Sequence, residues 1–589
     1  MRITLAALLI LVPGTVAARQ VKVDSQVVAP NEQGIITSIS PRGAHVVAIT
    51  QKGTRWVVLR DGVPGPLFDQ LINNGAGSMI NHSPDGTRFS YIGRQGQEWV
   101  VMIDGKEALR RPIGTNQTVL RGAGLAVRFT PNGKHWFLHY NNPSASDPRT
   151  DPSRMIWDGL AGPAGGNDDI VVSNDGEHYA YTVTNPVNPD QKVLMVDGKP
   201  APTLGFTPVF TGDGLHLYTQ RITIPRVGPQ VTELLLDGRP ILRAFKTQVF
   251  TAPVGSLAVI KVGRMEPRGE ISFLHVGGVK VPDSETQHMG PIRFSADGKH
   301  WAATLGMPGQ PNYVIVDGVK QREYATIDSV RFTDTGKPVY VVGAGGKSFV
   351  ITGDQESENG YIGGLFPIAL GKGGRVGYVA SLNQTTAVVV DGKVTPSPGR
   401  MMMMTEFSFS PDGLRTAYAV TGAGGGPGTI MVDYKSQAAS AMTPFGQIRS
   451  GDPVQYIWSP DSKYTMHYGS PGAQYTGQFG LFLGDKHVAH GATPRIELPV
   501  FTPDAKHLFW IAGDGNRGMM QVFLDGKMIY EFDDQGREPL KDKGNWEMGA
   551  DGVLTFIVQT VEGFKRIRVT PGPDNGIEAM LARGKVMRN

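Results

Sequence analysis

Phe407-Ser-Phe-Ser-Pro-Asp-Gly413-Leu-Arg-Thr-Ala-Tyr-Ala-Val420, followed by a Gly-rich gap and Thr429-Ile-Met-Val-Asp-Tyr-Lys435, decides how this chain reads. Two short apolar runs meet at a tight Ser-Pro-Asp-Gly turn, and a third run ends at an Asp-led turn. Runs of this length, rich in Phe, Tyr, Val and Ile and bounded by Pro, Asp and Gly, are strand signals, with no 3.6-residue period to suggest helices. Versions of the unit recur from about residue 35 to about residue 570.

The first turn of each unit sets the period. These turns are Pro41-Arg-Gly43, Pro84-Asp-Gly86, Pro131-Asn-Gly133, Asn174-Asp-Gly176, Gly212-Asp-Gly214 and a degenerate Ala252-Pro-Val-Gly255. Then come Ala296-Asp-Gly298, Asp334-Thr-Gly336, Lys372-Gly-Gly374, Pro411-Asp-Gly413, Pro460-Asp-Ser462, Pro503-Asp-Ala505 and Ala550-Asp-Gly552. A spacing of roughly 38 to 49 residues over about thirteen units is that of one four-stranded propeller blade. The third run of many units ends in Asp-Gly, as at Asp104-Gly105, Asp197-Gly198, Asp317-Gly318, Asp391-Gly392 and Asp525-Gly526. That pair suits a two-residue hairpin, because Gly accepts positive φ and Asp visits the left-handed region.

The expected fold is therefore all-β, two tandem β-propellers of six and seven blades. The N-terminal propeller covers 19–285, the C-terminal one 286–575, and a tail 576–589 either forms a short helix through Ile577 and Leu581 or frays. Propellers hold about four to eight blades, which is why thirteen units imply two rings. The run from Val21 to Val28 offers the fourth strand that the last unit lacks; that pairing places the first and last units in one ring.

Composition narrows the function classes. The chain has 589 residues, 77 Gly, 42 Pro, no Cys and a net charge of only +4, with Lys and Arg scattered among acidic residues. No basic block supports nucleic-acid binding. Met1 to Ala18 reads as a secretory signal peptide, with Arg2 as n-region, Ile3 to Val12 as apolar h-region and Val16-Ala17-Ala18 as cleavage site. The mature protein is expected to be periplasmic or secreted, to begin near Arg19, and to carry no membrane span. His45, His135, His178, His216, His300 and His507 each fall two residues after the last residue of a repeat turn, so they read as parts of the repeat rather than metal ligands.

The Phe-Ser-Pro-Asp-Gly-x-Arg/His-x-Ala-Tyr pattern, best matched at Ser83 to Tyr91, Phe294 to Ala302 and Phe409 to Tyr418, resembles the WD-repeat-like propeller motif of TolB and of prolyl-oligopeptidase-type enzymes. The resemblance implies a propeller and little about function, since such propellers host many roles. The chain differs from TolB in showing no separate N-terminal α/β domain.

Catalytic signatures are missing at the level of motif. No Ser has the flanking glycines of a Gly-x-Ser-x-Gly elbow. His135 and His139 lack the Glu and third ligand of a zinc site, and Gly343-Ala-Gly-Gly-Lys-Ser lacks the first Gly of a phosphate loop. Met401 to Met404 reads as gap-filling between blades. No cofactor or metal is expected.

Insertions carry the variation. In an up-and-down blade the first and third turns share one face, and here both are tight. The second turn expands at 141–153, 185–191, 222–231, 306–312, 422–428, 470–480 and 513–518. Loops on a rigid scaffold are where binding concentrates, so the loop-rich face is the expected working surface for a protein, peptide or glycan partner. Candidate contacts are Asp147, Arg149, Asp151 and Arg154 in the longest insertion, with Arg226, Tyr475 and Arg517 in others. Arg128, Arg293 and Arg331 share one position on the first strand, near the ring axis, where two guanidinium groups can converge on an anion or pair with acidic neighbours. The leading expectation is an exported binding or scaffold protein. The alternatives are a hydrolase or lyase with a site scattered around a channel mouth, or an accessory subunit of an envelope complex.

Overall fold

The computed structural model describes residues 21–30, 36–72, 79–112, 127–140, 154–163, 166–167, 170–184, 192–201, 205–225, 228–267, 269–328, 330–358, 360–361, 368–382, 385–396, 400–401, 407–421, 428–437, 456–469, 479–491, 496–514, 519–533, 546–560, 562–583 and 587–588. They form thirteen sheets, each built on four antiparallel strands that follow in chain order in all but the last, numbered here as blades 1 to 13. Blade 1 spans 36–68, blade 2 70–112, blade 3 127–161, blade 4 166–200, blade 5 206–244, blade 6 246–280 and blade 7 288–320. Blade 8 spans 326–356, blade 9 369–396, blade 10 400–436, blade 11 456–491, blade 12 496–533 and blade 13 546–570.

Several first strands come in two pieces that pair with the same second strand. In blade 7, His288–Met289 and Arg293–Phe294 both pair with Trp301–Gly306. Pro291 lies between them and has no N–H to donate, so the ladder breaks there.

Blade 13 supplies only three strands from its own stretch, and the fourth is Lys22–Ala29 from the other end of the chain. The register runs from Lys22 against Thr570 to Ala29 against Phe564, with an irregularity between Val27 and Ala29. The N-terminal run thus closes the last blade. Arg566 ties the join to blade 1 by bonding the Asp61 carboxylate, and to the added strand through the Gln26 side-chain oxygen at 2.5 Å.

The core lies between blades rather than within any one of them. Val47, Ile49 and Phe68 of blade 1 meet Phe89, Tyr91 and Met102 of blade 2. The same arrangement continues blade by blade, and Val28, Ile39, Val46 and Ile557 join blade 13 to blade 1. Each such side chain contributes roughly 1.5–3 kcal/mol by leaving water, which a lone blade with two apolar faces could not achieve. At the expected boundary near residue 285, Val259, Leu274 and Val281 of blade 6 share one cluster with Trp301, Leu305 and Ile315 of blade 7.

The tail forms a helix, Gly576–Arg583, with Ile577 and Met580 buried and Leu581 packed against blades 11 and 12. Beyond it, Met587–Arg588 adds a parallel fifth strand to blade 11. No helix among the described residues is long and apolar enough to cross a membrane.

Candidate functional site

The two tight turns of nine blades are locked by one recurring network. In blade 7 the Ser295 hydroxyl donates to Asp297 at 2.6 Å and accepts the His300 N–H at 3.0 Å. His300 Nδ1 then bonds one oxygen of Asp317 at 2.7 Å, and the Trp301 N–H donates to the other at 2.8 Å. Asp317 sits at φ 49° and the following Gly318 at φ 86°, so its carboxylate reaches back over the strand pair. This is the left-handed turn that Asp-Gly favours.

All six repeat histidines do the same: His45 with Asp61, His135 with Asp158, His178 with Asp197, His216 with Asp237, His300 with Asp317 and His507 with Asp525. In other blades Arg takes the place of His, pairing Arg88 with Asp104, Arg375 with Asp391 and Arg415 with Asp433. The arginines reach further. Arg88 donates to the Lys134 carbonyl at 2.6 Å, and Arg415 to the Lys463 carbonyl at 2.6 Å, lacing each blade to the next. The sequence shows both partners recurring in step, a signal for this bridge that the reading above used only for the histidines. Among the described residues no three His, Asp or Glu side chains gather as a metal site.

The strand ends that bracket the insertions lie on the opposite face, since first and third turns share a face in every blade. Asp147, Arg149, Asp151, Arg226, Tyr475 and Arg517 lie outside the described residues, as do Met402 to Met404 and the first eighteen residues. Arg154 opens the third strand of blade 3, half-buried, and donates to the Gly162 carbonyl at 3.4 Å.

The first-strand arginines are placed as their shared repeat position implies. First strands of successive blades run side by side, with Arg293–Phe294 next to Arg331–Phe332. Arg128, Arg293 and Arg331 are all exposed. Arg331 donates to the Ile368 carbonyl of blade 9 at 3.3 Å. Arg128 and Arg293 make no hydrogen bond or ion pair among the described residues. The expected pairing with an acidic neighbour between blades is absent for all three among those residues; Arg331 uses a backbone carbonyl instead.

The same row holds polar groups that the sequence reading passed over. Ser38 Oγ lies 2.9 Å from His82 Nε2, Asn81 donates to the Val127 carbonyl at 2.8 Å, and Ser408 Oγ lies 2.9 Å from the Tyr456 hydroxyl. Burial pushes His82 down to about 4, helped by the nearby His45, so it is neutral at neutral pH. Glu547 of blade 13 is held above the usual carboxylate range by burial, against the opposing hydrogen bond from the Arg42 backbone. Counting two residues back from the turn residues Ser40, Ser83 and Ser410 reaches Ser38, Asn81 and Ser408.

No protein-family model matches the chain, and no curated protein matches it. Solved structures similar to it include a eukaryotic initiation factor, at 12% identity and TM-score 0.26 over 70% of this chain and 93% of that one. The β-propeller domain of the Trilobed protease from Pyrococcus furiosus, titled as having an open velcro topology, is 13% identical with TM-score 0.22, covering 46% of this chain and 94% of that one. Tricorn protease is 14% identical with TM-score 0.23 over 91% of this chain and 61% of that one. Likenesses this low carry no argument about activity. The sheets themselves make the chain a β-propeller protein of thirteen four-stranded blades.

Proposed function

We propose that this is an exported, TolB-like propeller that binds a protein, peptide or glycan on its loop-rich face. One observation carries the reading. On the trimmed face the turn carboxylates, histidines and hydroxyls are engaged with one another, blade after blade. Side chains held this way serve the scaffold, whereas every long insertion joins strands at the opposite face. The exposed Arg293 and Arg331, on adjacent first strands, add a place where an anionic group of the partner can be held.

Replacing 141–153 by a two-residue Asn-Gly hairpin tests this on peptide and glycan arrays. The expected result is loss of binding with an unchanged melting curve; binding that survives this and the equivalent change at 470–480 overturns the reading. Export belongs to the same proposal and predicts a mature N-terminus at Arg19, three residues ahead of the strand that closes blade 13.

A further inference from the structure

In blades 6, 8, 11 and 13 both partners of the bridge are missing together. Leu257 and Gly277 stand in their places in blade 6, Lys337 and Gly353 in blade 8, Tyr464 and Gly484 in blade 11, and Val553 and Val569 in blade 13. The blades resolve the loss differently, and in blade 13 Val569 is buried in the apolar cluster with Leu554. In blade 6 Leu257 and Val276 join the apolar cluster with blade 7. In blade 8 the residue whose N–H would face the carboxylate is Pro338, which has none to satisfy.

Blade 11 keeps the donor and leaves the space open. The Gly484 N–H donates to the Thr465 carbonyl at 2.6 Å, as Asp433 does to Thr416 in blade 10 at 3.0 Å. In blade 10 the Thr416 N–H then donates to Asp433 at 2.9 Å. Among the described residues no carboxylate accepts the Thr465 N–H. In front of it is a cavity of about 380 Å³ lined by Thr465, Arg415, Gln437, Lys463, Lys486 and Leu581, among others. Thr465 is only 2% exposed, and its hydroxyl has no partner.

We propose that this cavity binds a small carboxylate ligand, whose acidic group takes the position that Asp433 occupies in blade 10. The Thr465 N–H donates to it, as the Thr416 N–H does to Asp433. Lys486 lines the cavity beside Arg415, which is paired with Asp433, and Lys463, which is paired with Asp461 and Glu578, so Lys486 is the cation placed to attract an acid. Val432, Leu483 and Leu581 give an apolar wall for a short hydrocarbon body, in a volume within the range of small-ligand sites, about 300–1,000 Å³. The site is on the trimmed face, so it stands or falls apart from the loop-face reading.

The test is calorimetric titration of the full mature chain with acetate, N-acetyl-dialanine, the C-terminal amide of that dipeptide, and galacturonate. The acids are expected to bind and the amide to bind about tenfold more weakly or worse, as a lost charge-assisted pair implies. Binding by the dipeptide acid alone identifies a peptide chain end as the source; binding by galacturonate alone identifies a uronate. Gly484→Asp installs the missing carboxylate at φ 60°, a conformation that Asp317 already adopts at 49°. It is expected to cost at least about tenfold in acid affinity with no drop in melting temperature, and Lys486→Ala to weaken acids about threefold. Acid and amide binding alike, a Gly484→Asp protein that binds acids as the parent does, or no acid binding up to about 10 mM overturns the proposal.

Discussion

Blades 10 and 11 are neighbours built on one pattern, and only the first of them carries the bridge pair. In blade 10 Arg415 and Asp433 close the end of the blade, and Arg415 also lies over the Trp458 ring, 5.4 Å from its centroid. In blade 11 Tyr464 and Gly484 leave a cavity, and the interior beside it holds a different kind of polar residue. His467 is fully buried, stacked on Phe482 at 5.4 Å, with no hydrogen bond at either ring nitrogen. Phe482 stacks in turn on His487 at 4.8 Å. The blade with the bridge anchors its end by charge. The blade without it depends on stacking and on a helix from the chain terminus. A repeat therefore tolerates loss of its polar lock where another element covers the gap.

Removing the lock where it is most buried gives the largest effect. His507 and Asp525 of blade 12 are 6% and 11% exposed in their side chains, and Asp525→Ala takes the partner from His507 Nδ1 and the acceptor from the Leu508 N–H, while His507 Nε2 keeps the Gly572 carbonyl. The expected cost is about 3 kcal/mol, read as a shift in urea midpoint; a shift no larger than that of Gly484→Ala in blade 11 would break the contrast between locked and unlocked blades.

Blade 11, which holds His467, should be acid-sensitive where blade 10 is not. Burial pushes His467 down to about 4 from 6.5, so the unfolded chain binds more protons than the folded one between those values. The stability it protects is complete above pH 6.5 and is lost as pH falls from 6.5 through 4, by roughly 3 kcal/mol at most. His82 acts in the same window. His467→Phe is expected to flatten that part of the stability–pH curve; a curve of unchanged slope refutes the assignment.

In blade 10 the side chains of Arg415 and Asp433 are 35% and 41% exposed, and water screens the pair. Asp433→Ala is expected to cost about 1 kcal/mol, mostly through the unpaired Thr416 N–H. A cost equal to that of Asp525→Ala would show that burial does not set the scale.

The smallest effect belongs to the first-strand arginines. Arg293→Ala with Arg331→Ala, both exposed, should leave the midpoint within about 0.5 kcal/mol while weakening binding of an anionic partner. A large loss of stability would make these arginines structural.

Much of the fold was legible because strands and tight turns are local. Asp-Gly at Asp317-Gly318 specifies its own backbone conformation, and Phe409-Ser-Pro-Asp-Gly marks a strand end whatever surrounds it. The run from Val21 to Val28 was legible as an unpaired strand looking for the incomplete last unit. The candidate site was less so. Six of its proposed residues fall in insertions, which carry no repeat to align them. Among the rest, position on the strand said that Arg128, Arg293 and Arg331 line the axis but not what each would meet.

By itself, the sequence determined the number of blades and the tight turns of the trimmed face, because each follows from a few neighbouring residues. Only the tertiary structure decided what a missing bridge becomes. Leu257 of blade 6 and Tyr464 of blade 11 both read as degenerate repeats, yet one seals into a core and the other leaves a cavity. That outcome depends on which side chains arrive from other blades and from the C-terminal helix. Packing between elements distant in sequence is fixed by shape and volume in three dimensions, and no local pattern records it.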